Sequence, residues 1–452
     1  MPNLKQMLHL KRLASVLIGL IIVWALACVQ QSHAQTPPDF QGRYIAAISD
    51  ADMRAYAYID GQLGEPRGID QLSLVTLPLP ATPALTSSIE VSNSVINPVY
   101  SLVASQDGNT IFIAETKEQR EPGDRLISDL DLGTTLRAVD VSNPTAPRVI
   151  AEVEVGIDPQ GVSLDASGTT LALATKEPDA PLTFVTFTNG RFGKPIQLPM
   201  GGFSPVPELR DSGMLPHHVE WHPTADVIAV NANFRGQVQF FQVIRDDNGE
   251  VSDVVPWGNR VVTSKWPMSG KFSPDGRFYV TNDLQWGPDV RGFYVNSPPS
   301  QLTVIELAPL DAGDEAQHFV VGGISLPRHA ESIAFSNDGT LIATSNIGQT
   351  WLALDEPGYS RSSLSLVQFD TATGQTVHAG DWTFEGILPE GIDFDASDQY
   401  IVAGVFEYET PEPRQGALEF WHVVRAENTP RLERTDYVIE TGPGAHSLIV
   451  VN

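Results

Sequence analysis

Trp266-Pro267-Met268-Ser269-Gly270-Lys271-Phe272-Ser273-Pro274-Asp275-Gly276-Arg277-Phe278-Tyr279-Val280-Thr281-Asn282-Asp283 decides how the rest of this chain is read. It predicts two short strands joined by a tight turn. Pro274 presets φ for that turn, and Gly276 takes the positive φ that other residues resist. Phe278 to Thr281 are aromatic and β-branched, the residue types that fit a pleated strand.

Weaker copies of the pattern start at Pro98, Pro159, Pro216, Ala330, Pro389 and Ala445, spaced 51 to 63 residues apart. Each is followed by three further apolar runs without helical periodicity, such as Arg277–Thr281, Gln301–Leu307 and Phe319–Ser325. Seven starts at a near-constant interval, with four strands to the unit, predict a seven-bladed β-propeller. The seventh unit has room for only one strand before Asn452. Its other three are expected at the opposite end of the chain, at Arg43–Ser49, Gln71–Pro78 and Ser88–Asn93. The last blade is then closed by N-terminal strands plus the C-terminal strand, which removes exposed edges.

Residues 1–34 read as a signal peptide: Lys5, Lys11 and Arg12 precede the apolar run Leu13–Ala27, and Ser32-His33-Ala34 offers a small-residue cleavage site before Gln35. Export to the periplasm or beyond is expected, with no membrane span after cleavage. A lipid anchor at Cys28 is the less favoured alternative, because Ala25 stands where such signals usually carry Leu. Residues 35–41 form a short polar lead, and 42–452 a single propeller domain.

Cys28 is the only cysteine, so the cleaved chain has no disulfide, no thiol nucleophile and no Cys-ligated zinc. The net charge of −27 argues against nucleic acid, which requires clustered Lys and Arg. No nucleotide-binding loop or haem attachment motif is present.

Long second-to-third-strand loops at Lys117–Gly133, Leu284–Pro299, Ile347–Ser362 and Tyr408–Gln415 are expected to crown one face. They carry Trp286 and Trp351 as candidate ligand contacts. The residue after each repeat start reaches the same face: Val99, Gln160, His217, Met268, Glu331, Glu390 and His446. The next position gives His218 in the third unit, and His329 just precedes the fifth. His and Glu gathered at a channel mouth suit general acid–base chemistry, and close carboxylates raise one another's pKa. The same set suits a divalent metal as an alternative, and a polar channel lining without a ligand is the bland one. His222, Asn231, Asn233, Asn282 and Asn346 read as turn and strand-end residues.

The Ser273-Pro274-Asp275-Gly276 turn followed by Tyr279-Val280-Thr281-Asn282 resembles the YVTN-type repeat. Pro216-His217-His218-Val219-Glu220-Trp221-His222-Pro223 and Pro327-Arg328-His329 resemble the lactonase group of propellers, which includes 6-phosphogluconolactonase. That resemblance covers about residues 95–452. It implies hydrolysis of a small cyclic ester, with His217, Arg328 and His329 at the site. Where the family has Asn-Glu, this chain has Asn346-Ile347. The expected mechanism has His217 or Glu331 as general base, with Arg328 or another histidine stabilising the oxyanion. His218, Glu390, His446 and Gln160 are expected to line the ligand. The competing expectations are a non-catalytic propeller that binds a small molecule or a protein on its loop-crowned face, and a metal-dependent esterase or oxidoreductase.

Overall fold

The structure is a computed structural model, and it describes residues 36–96, 100–200, 216–290, 292–409, 416–425 and 429–452. The expected signal peptide, Cys28 and Val99 lie outside these residues.

The quoted stretch forms the strands Pro267–Phe272 and Phe278–Asp283. Gly276 adopts φ +74°, its N–H bonds Ser273 O at 2.8 Å, and the Ser273 hydroxyl donates to Asp275 at 2.6 Å. Ser105/Asp107 and Ser336/Asp338 repeat the hydroxyl-to-carboxylate bond at 2.7 Å. One turn chemistry thus joins the first two strands of several units.

Residues Pro37–Asn452 form one compact unit, a ring of seven antiparallel four-stranded blades as expected. Blades 1 to 6 begin with inner strands at Leu102–Ala104, Val162–Leu164, His218–Trp221, Pro267–Phe272, Ala330–Phe335 and Ile392–Phe394. Blade 7 combines Ala445–Val451 with Tyr44–Ser49, Gln71–Thr76 and Ser87–Glu90. The two ends of the chain meet in antiparallel register, with Ile45 opposite Val450 and Ala46 opposite Ile449. Inner strands of successive blades touch all the way round.

The core lies between the blades. Ile45, Val402, Leu418, Phe420 and Val450 fill the seam between blades 6 and 7, and Phe240, Phe272, Tyr279 and Ile305 that between blades 3 and 4. Deeper along the inner strands the channel is filled. The Tyr100 hydroxyl reaches from blade 1 to blade 5, donating to Ile333 O at 2.9 Å and accepting from Ile333 N–H at 2.8 Å. The Lys271 ammonium lies 4.3 Å from the centre of the Tyr100 ring and 2.9 Å from Glu220.

His222 is the turn residue it reads as: its Nε2 bonds Gly276 O at 3.0 Å. Asn231 and Asn346 do more than end strands. Asn231 accepts from Tyr279 OH at 2.9 Å and so links blades 3 and 4, while Asn346 donates to Ser363 and Ser365 on the adjacent strand of blade 5.

Gly444 marks where closure is tightest. It adopts φ +82°, and an added Cβ would sit 1.7 Å from Asp50 O. Gly444→Ala is therefore expected to cost about 3 kcal/mol or more. Gly61→Ala, also at positive φ but with nothing within 4 Å, should cost only about 1 kcal/mol. Urea midpoints compare the two, and equal losses would refute the closure argument.

Candidate functional site at the channel mouth

Each blade must turn from its outer edge into its inner strand, and the turn recurs in one conformation. Asp158, Trp266, His329 and Leu388 hold φ between +47° and +61°. Each immediately precedes a repeat start, as Gly444 does in blade 7. A left-handed conformation costs a non-glycine residue roughly 1–2 kcal/mol and persists only where the surroundings enforce it. These turns set where the next strand begins and with it the placement of Gln160, Met268, Glu331, Glu390 and His446.

These side chains are withdrawn from solvent. His217, His329, Glu331, Glu390 and His446 are between 0% and 7% exposed. His217 packs its ring 5.9 Å from that of Trp266, and its Nδ1 has no hydrogen-bond partner among the described residues. Burial, reinforced by the Lys176 ammonium, lowers its pKa to about 3. Its imidazole is therefore neutral at neutral pH, with a free ring nitrogen.

The other histidines are engaged. Trp286 Nε1–H donates to His329 Nδ1 at 2.8 Å, which leaves the ring proton on Nε2, 3.3 Å from Ser297 Oγ. His329 also packs 4.4 Å from Trp351. His329 thus positions an aromatic wall running through Trp286, Trp351 and Tyr294. Arg328 is exposed, and its Nε donates to Ser297 O at 2.8 Å. His218 bonds Gly270 O at 2.8 Å and packs against Tyr100, on the filled part of the channel. His446 Nε2 meets Asn93 Oδ1 at 2.8 Å.

Glu331 lies close enough for its charge to act on Glu390. Burial raises Glu331 to about 8. Burial, then the charges of Glu331 and Asp50, raise Glu390 well above the usual carboxylate range. Glu331 is therefore largely protonated at pH 7 and presents a donor, not the ionised base expected of it, and burial favours the protonated form of Glu390 as well. Tyr58 belongs to the same group, since Glu390, Glu331 and Asp50 all act on its hydroxyl. Its ring packs 6.0 Å from Trp351 and 6.5 Å from Tyr294.

Tyr58 and Asp50 are the residues that sequence reasoning missed. They lie in the second-to-third-strand loop of blade 7, residues 50–70, the same position as the four crowning loops. The signal was present in its length and in the Asp50-Ala51-Asp52 run.

Among the described residues, the His and Glu residues named for the alternative metal reading form no group of three ligand atoms within 4.8 Å of one another. Among the described residues, the acids and histidines whose ligand atoms come within 4.8 Å of one another in a group of three are Asp50, Asp52 and Asp70. Their oxygens already accept backbone N–H groups from Asp52, Val95, Arg120, Ala51 and Asn93. Burial raises all three. The trio is a hydrogen-bonded knot at the stem of the 50–70 loop.

A network of buried neutral groups fixes the pH dependence of folding. His217, His218, His329 and His446 are lowered from 6.5 to about 3, so their contribution is lost as pH falls from about 6.5 toward 3. Glu331, Asp52, Asp283 and Asp393 are raised to about 8, 7, 7 and 6. Their contribution is present below about pH 4 and lost as pH rises through those values. Between about pH 4 and 6.5 the two sets oppose each other, and above 6.5 only the carboxyls act. Calorimetric melting is expected to peak on the acid side of neutrality and to fall between pH 6.5 and 8. A maximum at pH 8 or above would contradict this.

Residues 58–406 match the family described as lactonase, 7-bladed beta-propeller. No curated protein matches the chain in sequence. Among solved structures, the periplasmic gluconolactonase of Pseudomonas aeruginosa is similar over 90% of this chain and 99% of its own, at 16% identity and TM-score 0.61. A protein from Lactobacillus plantarum is similar over 91% and 100%, at 15% and 0.58. A putative 6-phosphogluconolactonase from Bacteroides uniformis is similar over 91% and 99%, at 14% and 0.57. At these identities the likeness is one of fold. The family match spans most of the chain and agrees with the ring of blades, so this chain belongs to the lactonase family of seven-bladed β-propellers.

Proposed function

We propose that the chain is a lactonase that hydrolyses an uncharged, polyhydroxylated cyclic ester. Two observations support this reading: a neutral His217 whose Nδ1 has no partner among the described residues, and the buried Glu331 and Glu390 within reach of Tyr58 and its aromatic neighbours. Further buried polar atoms there lack partners among the described residues, namely Gln160 Oε1, Trp266 Nε1, Trp351 Nε1 and His446 Nδ1. Donors, acceptors and ring faces in one place suit a sugar-like ligand, because buried polar atoms need partners. Neutral carboxyls offer a phosphate no positive charge, and Arg328 Nε bonds Ser297 O.

In this mechanism His217 accepts a proton from the water that attacks the lactone carbonyl. Protonated Glu331 or Glu390 donates a hydrogen bond to the developing oxyanion. The ring C–O bond breaks as the tetrahedral intermediate collapses, and the leaving ring oxygen takes up a proton. Water is consumed and one hydroxy acid is released. Trp286, Trp351 and Gln160 orient the ring, with His218 supporting the strand beneath.

Export, by the leader at 1–34 with cleavage before Gln35, fits a family that has a periplasmic neighbour. The mature protein recovered from the periplasm is expected to begin at Gln35 on N-terminal sequencing. An intact leader in that fraction would refute cleavage.

Stopped-flow hydrolysis of glucono-1,5-lactone tests the reaction against its spontaneous rate. His217→Ala should lower kcat/KM by roughly 10²–10⁴-fold. Glu331→Gln keeps a donor, so it should cost less than about tenfold and abolish the decline in rate near pH 8. The phosphorylated lactone should be the poorer substrate. No acceleration of any neutral lactone by the wild-type protein would sink the proposal.

A further inference from the structure

A second group of charged side chains lies outside the set just described. Where blades 1 and 2 meet, a cleft of about 530 Å³ is lined by Asp60, Lys117, Ser128, Asp158 and Lys176, together with the apolar Ile127. The backbone is fixed on both sides of Lys117. Lys117 itself bridges Leu132, Glu118 N–H donates to Asp131 O at 3.0 Å, and Gly133 N–H donates to Thr116 O at 3.0 Å.

The two ammonium groups are not equivalent. Lys176 Nζ lies 2.5 Å from Asp158 Oδ2, and that carboxylate is buried and also accepts from the Gln160 amide. Asp60 is committed to Arg54. The Lys117 ammonium has no hydrogen bond or ion pair among the described residues; it feels the charges of Asp158, then Lys176, then Asp131. Burial is the largest influence on it and holds its pKa below the ordinary lysine value. Two cations thus share a cleft whose buried carboxylate is already engaged by one of them. Like charges brought together away from water are costly unless an anion joins them. The cleft is short of one negative charge.

We propose that this cleft is a site for the carboxylate of a small hydroxy acid, received by Lys117 with Lys176 beside it. One uncompensated ammonium matches a monoanion. A phosphate dianion would bring a second charge, which the Asp60 and Asp158 carboxylates oppose. The Ser128 hydroxyl on the same wall can bond ligand hydroxyls, and Ile127 gives the carbon chain an apolar surface. The choice of a hydroxy acid rests on the lactonase reading, because ring opening turns a neutral lactone into that anion. The anion site does not rest on it. Lys176 relates the two places, since its charge acts on His217.

Binding can be read without turnover, by saturation-transfer NMR of gluconate titrated with the purified protein at pH 7 and low salt. Lys117→Gln removes the charge and is expected to weaken gluconate binding by about tenfold or more. Lys117→Arg keeps the charge and should recover most of that loss. The same change at the exposed Lys194, Lys194→Gln, should leave binding at the wild-type level. Glucitol, a neutral polyol, should not compete, and sulfate should compete poorly. Lys117→Gln should melt no lower than the wild type, because it breaks no ion pair; lost binding is thereby separated from lost structure.

Equal gluconate affinity in the wild type and Lys117→Gln would overturn the site, and so would the absence of binding to the wild type. Sulfate competing as strongly as gluconate would overturn the hydroxy acid as its ligand. Gluconate held through Lys117 by a protein that accelerates no lactone would sink the reaction proposed above and support the anion site.

Discussion

The ring of blades depends on one pairing, that of Tyr44–Ser49 with Ala445–Val451. It makes the ring continuous, and only in a continuous ring do the starts of the inner strands point at one another. The same pairing places His446 and the 50–70 loop, one from each end of the chain. Closure is therefore a condition for the site as well as for the fold. Gly444 sits at the junction because Asp50 O leaves no room for a side chain.

The second determinant is burial. The chain carries a net charge of −27, yet burial favours the neutral form of Glu331 and Glu390 and of the histidines His217, His218, His329 and His446. Desolvation exceeds the other influences on His217, Glu331 and Glu390 alike. Side chains that carry charge in water are in this way made into neutral donors and acceptors by the fold.

Sequence made the ring legible because the ring is periodic. The turn at Ser273-Pro274-Asp275-Gly276, the seven starts and the split seventh blade follow from spacing, and so does the column holding Gln160, His217, Glu331, Glu390 and His446. Roles within the column were not legible. That His329 is engaged by Trp286, 43 residues away, is a fact of three dimensions. Whether Glu331 is ionised depends on how deeply it is buried. Trp266 and Leu388 give no sign in their residue type of a left-handed backbone. The 50–70 loop escaped notice because its blade is assembled from both ends of the chain, which separates the loop from the repeat that explains it.

The split blade also orders events during synthesis. Strand Tyr44–Ser49 is made long before its partner Ala445–Val451. Until that partner is made, the early strand keeps one edge unpaired, and blade 1 lacks a complete neighbour on one side. Pairing between segments so remote in sequence is slow. A chain stopped short of residue 445 cannot close its ring or position His446, and its unpaired strand edge stays open to association with other chains.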